Sequence, residues 1–193
     1  MKYEIIQPPF TLRFRAMSRK EATDYFTWFM EQIPVRITML EQAVQSTAKY
    51  GDWRADFTPE SLERLGQWFH EHVITRERTD EEKETIYGTA PEWFRSVEIP
   101  DWELTNQAFS LAMDIGMYFS RVLEKNVLGL KWKMVKKPKN DIDFQQPVIA
   151  GSGRRELNPI RIMIVYAYSL ADDTRGPERL KGLYDIWASL LVK

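Results

Sequence analysis

Apolar residues recur at steps of three and four over most of this sequence, a spacing that predicts a chain built mainly of helices. The clearest set is Leu104, Ala108, Leu111, Ile115, Tyr118 and Val122. It places one face of a long helix against a core, opened by Pro100 and Asp101 and broken by Gly129. Beyond the glycine the period changes. Leu130, Trp132 and Met134 alternate with Lys131 and Lys133, as on a half-buried strand. A second apolar run ending in Pro147, Val148 and Ile149 gives a partner strand, so a hairpin is expected from residues 130–135 and 144–149.

Other helices announce themselves by their starts. Ser18 and Glu21 form a capping box before Ala22, Tyr25, Phe26, Phe29, Met30 and Ile33. Pro34 is expected to kink or split that helix, since it has no N–H to donate. The period resumes with Ile37, Leu40 and Val44, and Gly51 closes the element. Thr58-Pro59 begins a helix carrying Leu62, Leu65, Phe69 and Val73. Residues 76–84 are a mixed-charge run with a second box at Thr79 and Glu82, expected as a solvated loop or short helix. Tyr87, Trp93 and Phe94 should return the chain to the core. Gly151 to Arg155 reads as flexible and basic. Asn158-Pro159 predicts a buried helix over 160–170, with a strand as rival because of its β-branched residues. Thr174 to Pro177 starts the last helix, with Leu180, Leu183, Tyr184, Trp187 and Leu191 as its stripe. Near the amino terminus, Leu12 and Phe14 alternate with Arg13 and Arg15, as on an edge strand or an extended arm.

Together these elements predict an α+β fold, mostly helical, as one domain over residues 1–193 with a small antiparallel sheet. Composition changes that picture little. With 44% hydrophobic residues and seven tryptophans the chain has the means to fold. Net charge is −1, so no global field favours nucleic acid or an anionic membrane. There is no cysteine, hence no disulfide and no thiolate chemistry. No stretch approaches the ~20 apolar residues of a membrane span, and the first ten residues lack a signal peptide's apolar run. A cytoplasmic protein is expected.

Candidate chemistry is sparse. His70 and His72 are the only histidines, and on a helix they point away from each other, so no metal site is expected. Asp114, four residues before Tyr118 on the long helix, is the candidate carboxylate. Beside aromatics it could gain a raised pKa and act as a general acid or base with Tyr118. The plainer reading is that it accepts hydrogen bonds and fixes how the hairpin docks. Gly116, in mid-helix, costs about 1 kcal/mol against alanine and points to a close backbone approach. No nucleophile elbow, phosphate loop or dinucleotide fingerprint is present, and no cofactor is expected. Asp141 and Asp143 read as solvation of the hairpin turn, with a weak cation site as the alternative. Lys131, Lys133, Lys136, Lys137 and Lys139 surround Trp132 and could follow a phosphate backbone, yet Trp132 falls in register with buried positions. Nucleic acid is therefore the weaker reading.

Asp114-Ile115-Gly116-Met117-Tyr118, followed by Asn126, Trp132, Pro147-Val148 and Asn158-Pro159, resembles small bacterial domains of unknown function. In these an aspartate–glycine–tyrosine helix leads into a tryptophan hairpin and a proline–valine strand. The likeness covers about the last ninety residues, its motifs are short, and it carries no catalytic residues over. It implies a protein of immunity or accessory type that acts by binding. The first expectation is thus a non-enzymatic protein–protein interaction factor, its surface combining residues 76–84 with Lys131, Lys133, Lys136 and Lys137. The alternative is a small-molecule-binding protein or hydrolase using Asp114. Nucleic-acid binding through the lysine hairpin is third.

Overall fold

The computed structural model describes residues 3–92 and 98–193. Its elements, in chain order, are α1 (Arg19–Gln45), a short 3-10 turn (Ala48–Tyr50), α2 (Ser61–His72), β1 (Thr75–Glu77), α3 (Asp80–Thr89), β2 (Trp102–Leu104), α4 (Asn106–Asn126), β3 (Lys131–Met134), β4 (Pro147–Ala150), β5 (Glu156–Leu157), α5 (Pro159–Ala171) and α6 (Arg179–Leu190). The fold is α+β and mostly helical, with two small antiparallel sheets.

α4 is the centre. Every residue from Ser110 to Ser120 is buried, along with Val122 and Leu123, so the helix is enclosed on all sides rather than along one stripe. α5 lies across it at Gly116, where an added Cβ would sit 3.0 Å from the Pro159 carbonyl oxygen. That close approach accounts for a glycine in mid-helix. α1 packs on another side through Tyr25, Phe29, Ile33, Ile37, Leu40 and Val44. It runs unbroken through Pro34, so the expected split does not occur. The apolar stripe continues on both sides of the proline, and burial of both halves outweighs the lost backbone bond.

Several boundaries differ from expectation. The long helix begins at Asn106, capped by Thr105, whose side chain accepts from the Ala108 N–H at 3.2 Å. Leu104 is buried, but in β2, which pairs with β1 through Thr75↔Leu104 and Glu77↔Trp102. The mixed-charge run is therefore partly strand. Its capping box at Thr79 and Glu82 does form, and it starts α3, a helix with no buried residue. Tyr87 on α3 is half-buried and outside the core cluster, while Trp93 and Phe94 lie outside the described residues. The hairpin pairs as Lys131↔Ala150 through Met134↔Pro147, and β5 adds a third strand against β4. Trp132 turns inward, its ring 5.3 Å edge-on from Phe29. Residues 160–170 are helical, and Asn158 caps them from its side chain to the Arg161 N–H. Gly153, expected in a flexible stretch, donates its N–H to the Leu191 carbonyl at 2.8 Å.

Residues 3–18 form no strand. They are an arm laid over α1 and α4, with Phe10 and Phe14 edge-on to Tyr25 at 5.8 and 5.0 Å. No helix among the described residues is long and apolar enough to cross a membrane.

Candidate functional site

Asp114 points from the middle of α4 into a fully enclosed cluster. Arg36 of α1 donates Nε to Oδ1 at 2.8 Å and Nη2 to Oδ2 at 2.6 Å, and the Tyr3 hydroxyl donates to Oδ2. Both charged side chains are almost wholly inaccessible, at 4% for Arg36 and 0% for Asp114. Arg36 also donates Nη2 to the Glu4 carbonyl at 2.9 Å and to Ser110 Oγ at 3.1 Å, while Ser110 accepts the Ile6 N–H at 2.9 Å. The cluster thus fastens the arm to the two longest helices. It does not dock the hairpin, which the sequence suggested.

Burial pushes the Asp114 carboxyl above its ordinary value, and the guanidinium and the Tyr3 hydroxyl pull against it. Arg36 is held above its ordinary value by the same carboxylate, against its own burial. The two directions pull opposite ways on one pair. The bidentate geometry decides in favour of an ion pair at neutral pH, because a charged guanidinium so enclosed needs the ionised partner. Burial, and then Asp114, drive Tyr3 far above its ordinary range, so it stays a donor. With both oxygens engaged and no exposure, this carboxylate has no room to receive a substrate's proton.

Tyr118 is not part of that cluster. Its hydroxyl lies 2.7 Å from Ser61 Oγ and accepts the Phe57 N–H at 3.1 Å, and burial pushes it up to about 12. Asp114 and Tyr118 share a helix but serve separate networks. Of the candidate lysines, Lys133 pairs with Glu156, whereas Lys131, Lys136 and Lys137 are exposed. The cations of residues 76–84 are matched nearby: Arg76 by Glu82, Arg78 by Glu103 and Lys83 by Asp101. Asp143, expected to solvate a turn, instead grips Arg161 with both oxygens at 2.9 and 2.7 Å and accepts from Asn158. His72 stacks on Trp68 at 4.4 Å, and His70 faces Asp173 at 3.6 Å. Among the described residues no group of three His, Asp or Glu could hold a metal ion.

The arm, α4 and α5 enclose a feature that the sequence did not reveal. It is a groove of about 770 Å³ walled mainly by apolar side chains. Ile5 and Leu12 of the arm and Val165 of α5 stand on it at 40%, 46% and 59% exposure. Phe109 and Ile164 also line it, and Gln146, Asn158 and Arg161 supply polar atoms. Its volume lies within the range of ligand sites, about 300–1,000 Å³. No local signal pointed to it: Val165 lies in a run expected to be buried yet is 59% exposed, and the alternation at Leu12 and Phe14 suggested a strand that does not form.

No protein-family model matches this chain, and neither a curated protein nor a solved structure is significantly similar to it.

Proposed function

We propose that the chain works by binding another protein, and that the groove between the arm, α4 and α5 is where the partner seats. The observation that carries this reading is the grouping of exposed Ile5, Leu12 and Val165 around one apolar groove. Single exposed apolar residues are ordinary, but a contiguous set around a concavity is a usual mark of an interaction site. Supporting it, the one carboxylate that suggested catalysis is saturated by Arg36 and Tyr3. The test compares tagged wild-type chain with Val165→Asp as baits for mass spectrometry. Val165 is exposed, so the variant should melt like wild type. A protein held by wild type and lost from Val165→Asp is the expected result. Equal recovery on both baits would remove the groove from the reading.

A further inference from the structure

The groove continues past Phe14 and Gln146. These two residues also line a second concavity of about 330 Å³, walled by Arg13, Arg15, Ile142 and Phe144. Two loops meet there because of Gln145, whose backbone is left-handed at φ 62°. Its Nε2 donates to the carbonyls of Phe14 and Met17, the latter at 3.1 Å, clamping the arm's end to the hairpin loop. That clamp sets Arg13 and Arg15 beside the loop that carries Lys136, Lys137 and Lys139. All five cations are exposed, and among the described residues no ion pair neutralises them. The loop's own acids are Asp141 and Asp143, and Asp143 is already paired with Arg161 at 2.7 Å. Ile142 lines the same concavity as Arg13 and Arg15, at 63% exposure.

An apolar groove and a cationic basin, joined through two shared residues, form one surface of two chemistries. We propose that its occupant is an acidic amphipathic segment of a partner protein, apolar side chains in the groove and carboxylates over the basin. This deepens the binding function proposed above and rests on it. Charge complementarity selects the segment: a local excess of positive charge on a chain of net charge −1 attracts acids and repels basic competitors. The groove argues against nucleic acid, because a phosphate backbone brings nothing to fill aliphatic walls and would leave Ile5, Leu12 and Val165 in water.

The experiment selects a displayed library of random short peptides on the full chain and measures winners by fluorescence anisotropy at low and high salt. A labelled single-stranded oligonucleotide is run beside them. Enriched peptides should be net acidic with spaced apolar residues. They should weaken about tenfold or more on Arg13→Glu/Arg15→Glu, with most of the salt dependence lost, and bind negligibly to Val165→Asp. Enrichment of neutral or basic apolar peptides that Val165→Asp abolishes would overturn the acidic occupant and leave the groove reading standing. Peptides indifferent to Val165→Asp would overturn both. An oligonucleotide that binds more tightly than any peptide, and is lost on Arg13→Glu/Arg15→Glu alone, would assign the basin to nucleic acid and overturn the proposal.

Discussion

The carboxylates of Asp114 and Glu103 are served by the same kinds of group, an arginine and a tyrosine hydroxyl. Asp114 takes Arg36 and Tyr3, while Glu103 takes Arg78 at 2.7 Å and Tyr168. Each cluster fastens a peripheral piece to the helical body: the first holds the arm, the second holds the β1–β2 ribbon to α5. They differ in depth. Arg36 and Asp114 are at 4% and 0% exposure, Arg78 and Glu103 at 9% and 15%. Asp114 sits on the central helix, whereas Glu103 sits on a three-residue strand at the rim. Identical chemistry therefore has different consequences, because water can replace a lost partner only at the rim.

The sharpest way to break this comparison is to remove the deep carboxylate. Asp114→Ala leaves Arg36 enclosed and unpaired, and should cost about 3–5 kcal/mol by urea denaturation. Replacing both charges, as Arg36→Met with Asp114→Leu, should recover much of that loss. The arm would still be loosened, since the bonds from Arg36 to Glu4 and Ser110 are gone, and limited proteolysis near residues 3–14 should quicken. A small loss from Asp114→Ala alone would mean that the cluster is wetter than its geometry implies.

Alkaline pH probes both clusters together. Burial, the leading cause, raises Tyr3 and Tyr168, and the neighbouring carboxylates raise them further. Burial also pushes Tyr118 up to about 12. A tyrosine whose folded pKa is raised keeps its proton when the unfolded chain has lost it. Its contribution is therefore complete below pH 10 and falls away as pH rises from 10 through the folded value. Tyr118 alone should account for at most about 3 kcal/mol across that window. Melting followed with phenolate absorbance should show unfolding and ionisation as one event, with Tyr3→Phe reducing the steepness. A phenolate that forms near pH 10 in the folded protein and is missing from Tyr3→Phe would contradict the enclosure of the deep cluster.

Much of this architecture was legible in the sequence, because helices advertise themselves locally. Both capping boxes, at Ser18–Glu21 and Thr79–Glu82, form as read. The asparagine cap and first-turn proline at Asn158-Pro159 set the start of α5, and the alternation at Leu130, Trp132 and Met134 placed the hairpin. β1 was missed because three exposed polar residues have no period to detect, and β2 because Leu104 falls in step with the apolar stripe of the helix that follows it. Arg36 was overlooked although it interrupts the apolar stripe between Ile33 and Leu40, a position where a cation needs a buried acid. What no local pattern supplies is the pairing of Arg36 with Asp114 across 78 positions. The groove is hidden for the same reason, since its walls come from the arm, α4, the hairpin and α5.

At the rim the expected effects shrink. Glu103→Gln keeps the shape and can still accept from Tyr168, so it should cost only about 1 kcal/mol. It should free the β1–β2 ribbon in amide exchange while leaving α4 protected.

Farther out, Glu82 completes the series. Its carboxyl lies low, at about 2, chiefly because Arg76 bonds it at 2.5 and 2.9 Å, with the Thr79 backbone N–H also donating. A depressed carboxyl contributes fully above the ordinary value of 4.5 and loses its contribution as pH falls from 4.5 toward 2, where the frayed form of α3 takes up the proton first. α3 buries no residue, so that loss should stay local. Protection of the α3 amides should decline across this window while the α4 amides hold, and Glu82→Gln should abolish the pH dependence without moving the global melt. If α4 lost protection in step with α3, α3 would be coupled to the core, and depth of burial would not be what separates the charged clusters of this fold.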